Sequence, residues 1–268
     1  MTALPALSPV PSARRLIDVA LRDKGSLRAR AAEYFTELAF ETMAGSDMER
    51  VPGTLRGSDH GRCVRELWAD IHDKKDIPVD FELQLTRYDS GHLYALWMAC
   101  CMKVGVEVTM PGFLLELEYE SEYRGVRGHI DALLLSIHRT GLDDGTDYEL
   151  VPRHVFEFKT NYQARKIGEP GDYQLSQAVD YALGSSVPTV SVVIVGPSAN
   201  GARFVQHNYF ASDYQRTVDE DIDRMTLALG DDMPAGDPVE SWRCSTCAFS
   251  ACERNTNPLA YALLEVAS

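Results

Sequence analysis

The sequence predicts an α/β fold, with helices wrapped around a core sheet, and three observations carry that expectation. Strand-like segments rich in β-branched and aromatic residues crowd the middle of the chain, at 106–110, 113–121, 126–138 and 154–162. Apolar residues at helical spacing dominate on either side of them. A helical segment at 171–184 then leads into the apolar run 188–196, which has the character of a buried strand. With 268 residues, 45% of them hydrophobic, the chain has material for a substantial core.

The elements follow in order. Residues 1–12 are rich in Pro and Ser and read as a flexible lead-in, leaving 13–268 as a single domain. From Ser26 to about Met43, the residues Leu27, Ala31, Tyr34, Phe35 and Leu38 recur at helical spacing. The segment 60–72 places Cys63 at the opening of another helix. Over 89–105 a helix is predicted to begin near Asp89 or Ser90, either of which can cap it. Cys100 and Cys101 within it read as small buried hydrophobes. The stretch 139–152 supplies turn residues and reads as a hairpin tip. The helix over 171–184 stops at Gly184, 203–211 is a further strand, and Ser212 caps a last helix reaching about Leu229. A loop over 230–242 leads to a cysteine-rich C-terminal segment, so that 60–70 and 240–256 hold the cysteines of interest.

Composition narrows the class. No run of eighteen or more apolar residues is present, which argues against a transmembrane helix. The first residues lack a continuous apolar stretch ahead of a cleavage site, so the expected location is the cytoplasm. A net charge of −14 argues against a broad grip on phosphates and leaves room only for a local basic groove. Positive charge gathers early in the chain and again at Arg124, Arg127, Arg153, Lys159, Arg165 and Lys166. Runs of this kind are usually solvated faces.

The chemistry-bearing residues lie in the strands. Glu157 and Lys159 are two apart and share a face with Val155, while Phe156 and Phe158 take the other. Asp131 interrupts an otherwise apolar strand, an expensive placement unless the carboxylate is paired, hydrogen-bonded or bound to metal. Two carboxylates from neighbouring strands make a hard oxygen site suited to Mg²⁺ or Mn²⁺. Such an ion lowers the pKa of a bound water for attack on a phosphodiester, and Lys159 beside it can orient that water and offset phosphate charge. Glu-x-Lys alone is most often an exposed strand ion pair; Asp131 is what lifts the pattern above that reading. Gln177 and Tyr181, four apart on one helical face, can reach a phosphate or the lysine. A half-buried tyrosine with a glutamine on the rim has the same spacing.

Six cysteines in a reducing compartment are thiols or ligands rather than disulfides. Cys244, Cys247 and Cys252 form Cys-x₂-Cys-x₄-Cys, and Cys63 is the obvious fourth ligand. Four thiolates suit tetrahedral Zn²⁺ or an iron–sulfur cluster. Spacing leaves both open, with three clustered cysteines and one distant favouring the cluster. A cysteine-rich tail without metal is the plain alternative.

Taken in order, Cys63, Asp131, Glu157-Phe158-Lys159, Gln177, Tyr181, Cys244, Cys247 and Cys252 resemble the pattern of RecB-like nucleases in the PD-(D/E)XK superfamily. Within it they are most similar to the CRISPR-associated RecB-like exonucleases and their phage relatives. The resemblance covers residues 60–255. It implies a restriction-endonuclease-like core, a central mixed sheet flanked by helices, clasped by a 4Fe-4S cluster on the four cysteines. It also implies a DNA exonuclease that degrades single-stranded ends with Mg²⁺ or Mn²⁺ and 5′→3′ polarity. The setting would be recombination, DNA end processing or CRISPR spacer handling, beside recombination or adaptation proteins. Asp131, Glu157, Lys159, Gln177 and Tyr181 would carry catalysis.

Two departures stand out. The family places a metal-binding His four residues after a Gly, whereas here Gly91 is followed at once by His92 and the expected position is Ala95. His92 is therefore the candidate third ligand beside Asp131 and Glu157. The separation of Asp131 from Glu157 is long and needs the hairpin to absorb it. No Walker-type loop is present, so the helicase half of larger RecB-like machines is absent. An alternative from a different class is a catalytically weak DNA-binding module of the same fold, serving a partner nuclease or integrase. A third is a zinc-clasped scaffold on an unrelated α/β core.

Overall fold

The computed structural model describes residues 10–44, 53–75, 81–139, 148–161, 168–198, 201–236, 244–245 and 247–257. Residues 1–9, most of the expected hairpin tip, Arg165 and Lys166 lie outside them, as does part of 240–256.

A six-stranded mixed sheet forms the centre. Its strands are β1 (Leu55–Arg56), β2 (Phe113–Tyr123), β3 (Val126–Arg139), β4 (Tyr148–Thr160), β5 (Thr189–Ser198) and β6 (Gly201–Phe210). β2, β3 and β4 pair antiparallel as a meander. Helix α5 (Asp172–Gly184) carries the chain from β4 over to β5, which therefore runs parallel to β4, and β6 returns antiparallel. This is the helix-flanked α/β sheet that the sequence predicts.

Helices cover both faces. On one, α3 (Val64–Ile71), α5 and α6 (Ala211–Thr226) pack against Ile130, Leu133, Val155, Val190 and Val192. On the other, α1 (Ala13–Arg22), α2 (Ser26–Ala44) and α4 (Phe81–Thr109) pack against Leu115, Ala132, Leu134, Phe156 and Phe158. Residues 155–159 thus alternate between two cores, as a central strand must.

Local propensity misleads in three places. Residues 106–110 are not a strand: 106–109 are the end of α4, and Met110 follows it. Val104 and Val106 are fully buried there, and α1 approaches so closely that a side chain at Gly105 would strike the Leu16 carbonyl. Burial between helices overrides the β preference of valine. Asp89 and Ser90 lie inside α4, because 81–88 offers good helix formers with neither Gly nor Pro. Helix α6 opens at Ala211, so Ser212 sits in its first turn rather than capping it. Among the described residues no helix is long and apolar enough to cross a membrane.

Candidate active site

Strand β4 parts from β3 beyond the Ala132–Phe156 pair. Where the ladder stops, the Asp131 carboxylate takes over, accepting the Phe158 backbone N–H at 2.6 Å. On the α5 side of β4, Lys159 Nζ donates to Glu157 Oε1 at 2.7 Å and to Gln177 Oε1 at 2.7 Å. Gln177 Nε2 in turn donates to the Tyr181 hydroxyl at 3.0 Å. The Tyr181 ring lies on Gly57 and Gly128, and a Cβ at Gly128 would stand 2.5 Å from its hydroxyl oxygen. Glycine is required there because the aromatic ring rests on the strand backbone.

The five side chains expected from the sequence therefore converge. Glu157 and Tyr181 form a buried floor, while Asp131, Lys159 and Gln177 are half-exposed at its rim. Glu157 Oε2 is buried and has no hydrogen-bond partner among the described residues.

Charge balance explains the electrostatics. One ammonium faces several carboxyl groups. Burial first, and the Glu157 charge second, push the Asp131 carboxyl well above the ordinary aspartate range. Burial works against the Lys159 ammonium, but Glu157 and Asp131 outweigh it and raise its pKa. The Tyr181 hydroxyl is pushed well up by burial and then by Glu157.

Glu118 joins this group, and the sequence reading passed over it. Burial and then Glu157 push its carboxyl up to about 7. Glu116, Glu118 and Glu120 alternate along β2, and nothing in their spacing marks the middle one. Its backbone does: φ is 51°, in the left-handed region.

The metal expectations are corrected. Among the described residues no group of three or more His, Cys, Asp or Glu side chains is placed to hold a metal ion. That finding overturns the 4Fe-4S cluster on Cys63, Cys244, Cys247 and Cys252, and the Mg²⁺ or Mn²⁺ site of His92, Asp131 and Glu157. The physical reasons differ. His92 is half-buried on α4, which packs on the face of the sheet opposite α5, and Asp131 is engaged by a backbone amide instead.

The four cysteines are free thiols beside α3, with Cys63 at its N-cap. Burial, then the neighbouring Cys63 and Cys252, raise the Cys244 thiol, and burial carries Cys247 to about 11. Protein contacts hold the tail instead. Arg65 pairs with Glu253 at 2.9 Å and donates to the Pro234 carbonyl at 3.2 Å. Asn255 Nδ2 donates to the carbonyls of Phe249 at 2.7 Å and Cys247 at 3.2 Å. Trp68 donates to the Gly230 carbonyl at 3.0 Å and lies against Phe249.

Behind Tyr181 runs a second buried network that the sequence reading missed. His60 Nδ1 lies 2.7 Å from Asp221 Oδ2, and its Nε2 lies 3.8 Å from Asp180 Oδ2. Burial disfavours the charged ring, yet the two aspartates carry His60 up to about 9. Burial likewise works against the Asp221 charge, but His60 and Arg224 hold that carboxyl at about 2. The network ties the turn before α3 to α5 and α6. The basic residues noted in the sequence are largely committed too: Arg124 pairs with Asp219 at 3.0 Å and Asp223 at 2.7 Å, and Arg127 with Glu122 at 2.8 Å.

No protein-family model matches the chain, and no curated protein matches it. Two solved structures are distantly similar. One is described as the crystal structure of SSO0001; it is 18% identical, the match covering 88% of this chain and 100% of that one, with a TM-score of 0.47. The other is an alkaline exonuclease, LHK-Exo, from Laribacter hongkongensis; it is 10% identical over 66% of this chain and 88% of that one, with a TM-score of 0.36.

Proposed function

We propose that this chain is a deoxyribonuclease that hydrolyses phosphodiester bonds at single-stranded DNA ends, using a restriction-endonuclease-like core. The observation that carries the reading is the Lys159 ammonium held between Glu157 and Gln177, with the second oxygen of Glu157 left without a hydrogen-bond partner among the described residues. The ordered set of Asp131, Glu157, Lys159, Gln177 and Tyr181 supports it.

The roles follow from the environments. Lys159 offsets the charge of a phosphate at the rim, where it is worth more than in bulk water. The second Glu157 oxygen accepts the proton of an attacking water. Asp131, whose environment favours its protonated form, returns a proton to the departing oxygen. Gln177 and Tyr181 keep the lysine aimed.

The test is incubation of end-labelled single-stranded DNA with purified protein, with and without added divalent cation. The parent protein is expected to shorten the label progressively, and Lys159→Met and Asp131→Asn to abolish this while still folding. DNA retained by the parent without cleavage would replace this reading with that of a binding module.

A further inference from the structure

The facing pattern of two strands reverses at one point, and the reversal is centred on Glu118 and Asp131. Along β3, the even residues Val126 and Ile130 join the core under α5, and Gly128 lies beneath Tyr181. Beyond Asp131 the odd residues Leu133 and Leu135 join that core, while Ala132 and Leu134 face the other one. Strand β2 does the same: Leu114 faces α5, Leu115 and Leu117 face away, and then the odd residues Ser121 and Tyr123 face α5. A one-residue slip would normally be needed to change faces.

Here the register does not slip. Leu117 pairs with Ala132 and Tyr119 with Ile130, and the one pair missing from the ladder between them is Glu118 opposite Asp131. The left-handed backbone at Glu118, φ 51°, supplies the rotation. Left-handed geometry is strained for a residue with a side chain, and such strain persists only where the surroundings enforce it.

We propose that Glu118 is a positioning residue of the site, whose left-handed backbone breaks the β2–β3 ladder opposite Asp131 and thereby turns the Asp131 carboxylate into the gap left by β4. In an unbroken ladder Asp131 would point to one face of the sheet, as its neighbours do. With the ladder broken it reaches the Phe158 amide at 2.6 Å, next to Glu157. The inference rests on the hydrolytic reading only for its consequence in catalysis; the placement of Asp131 can be measured by itself.

The experiment uses Glu118→Gly, which adopts a left-handed backbone freely, and Glu118→Val, for which it is forbidding. Amide hydrogen exchange at Phe158 is followed by NMR in parent and variants, together with cleavage of end-labelled single-stranded DNA. Glu118→Gly is expected to keep the parent's protection at Phe158, which reports the backbone alone. Glu118→Val is expected to lose that protection and about a hundredfold in kcat with KM little changed, the cost of misplacing one group by about 1 Å. If Glu118→Val does not fold, Glu118→Ala replaces it, with the same direction expected. Glu118→Gly failing like the valine variant would overturn the proposal, because the side chain and not the backbone would then matter; so would valine without effect. If the parent cleaves nothing, the hydrolytic reading falls while the Phe158 amide still decides this one.

Discussion

The site under α5 and the cysteine tail beside α3 both gather reactive side chains, and they do it by opposite means. In the first, Glu157 is 2% exposed and its charge is met by Lys159, which reaches it from the rim. In the second, the thiols sit in intermediate exposure and the segment is fastened by several neutral and charged contacts of Arg65, Asn255 and Trp68. A buried charge must be compensated locally, so the first arrangement is rigidly specified. A tie shared among several contacts depends on no single one. Substitutions in the two regions test that difference, with expected effects from several kcal/mol down to nearly nothing.

The largest belongs to Lys159→Met. Removing the ammonium leaves the Glu157 carboxylate buried without a counter-charge, and stability should fall by about 3–5 kcal/mol in chemical denaturation. Adding Glu157→Gln in the same chain should recover much of that loss, since the two residues are directly coupled. A Lys159→Met protein as stable as the parent would show that the floor of the site is wetter than the contrast requires.

His60 comes next, because it joins the two regions through α5 and α6. Its folded pKa of about 9 lies above the ordinary value of 6.5. The stabilisation it gives is therefore complete below about pH 6.5, shrinks as pH rises, and is gone above about pH 9. Melting temperature should decline across that window in the parent and stay level there for His60→Gln. A parent curve without the decline would mean that Asp180 and Asp221 do not hold the ring charged. His154 acts in the opposite sense: burial depresses it to about 3, so it withdraws stability as pH falls below 6.5.

A smaller effect is expected for Gly128→Ala. The new methyl would collide with the Tyr181 ring, and overpacking of this kind costs about 1–3 kcal/mol. Because Tyr181 accepts from Gln177, and Gln177 accepts from Lys159, DNA cleavage should suffer more than stability does. Equal losses in both would place Tyr181 in the core alone.

What the sequence displays of these regions follows from how each signal is written. The alternation of Val155 to Lys159 is local, so the shared face of Glu157 and Lys159 is legible before any fold is known. The four-residue spacing of Gln177 and Tyr181 is legible in the same way. Glu118 is invisible because its signature is a backbone rotation among three alternating glutamates. His60 is invisible because its partners, Asp180 and Asp221, stand on distant helices. Residues 106–110 mislead because valine's preference is local and the burial that overrides it is not. The cysteine spacing misleads for a related reason: proximity in the chain shows that thiols are neighbours, while coordination needs their sulfurs to point at one centre.

That last point gives the smallest expected effect and the sharpest test of the contrast. Cys252 receives a hydrogen bond from Arg65 at 3.7 Å, a long contact on a group that Glu253 and Pro234 already engage. Serine there keeps an acceptor and costs little volume. Cys252→Ser should therefore stay within about 0.5 kcal/mol of the parent, as surface substitutions away from special features do. Treatment with a chelator should likewise leave the melting temperature where it was. A ligand thiolate would behave otherwise, because the binding energy of a structural metal is folding energy and its loss unravels the segment it ties. A drop of several kcal/mol in Cys252→Ser, reproduced by the chelator on the parent, would mean that the tail is held by coordination and that the two regions are built alike.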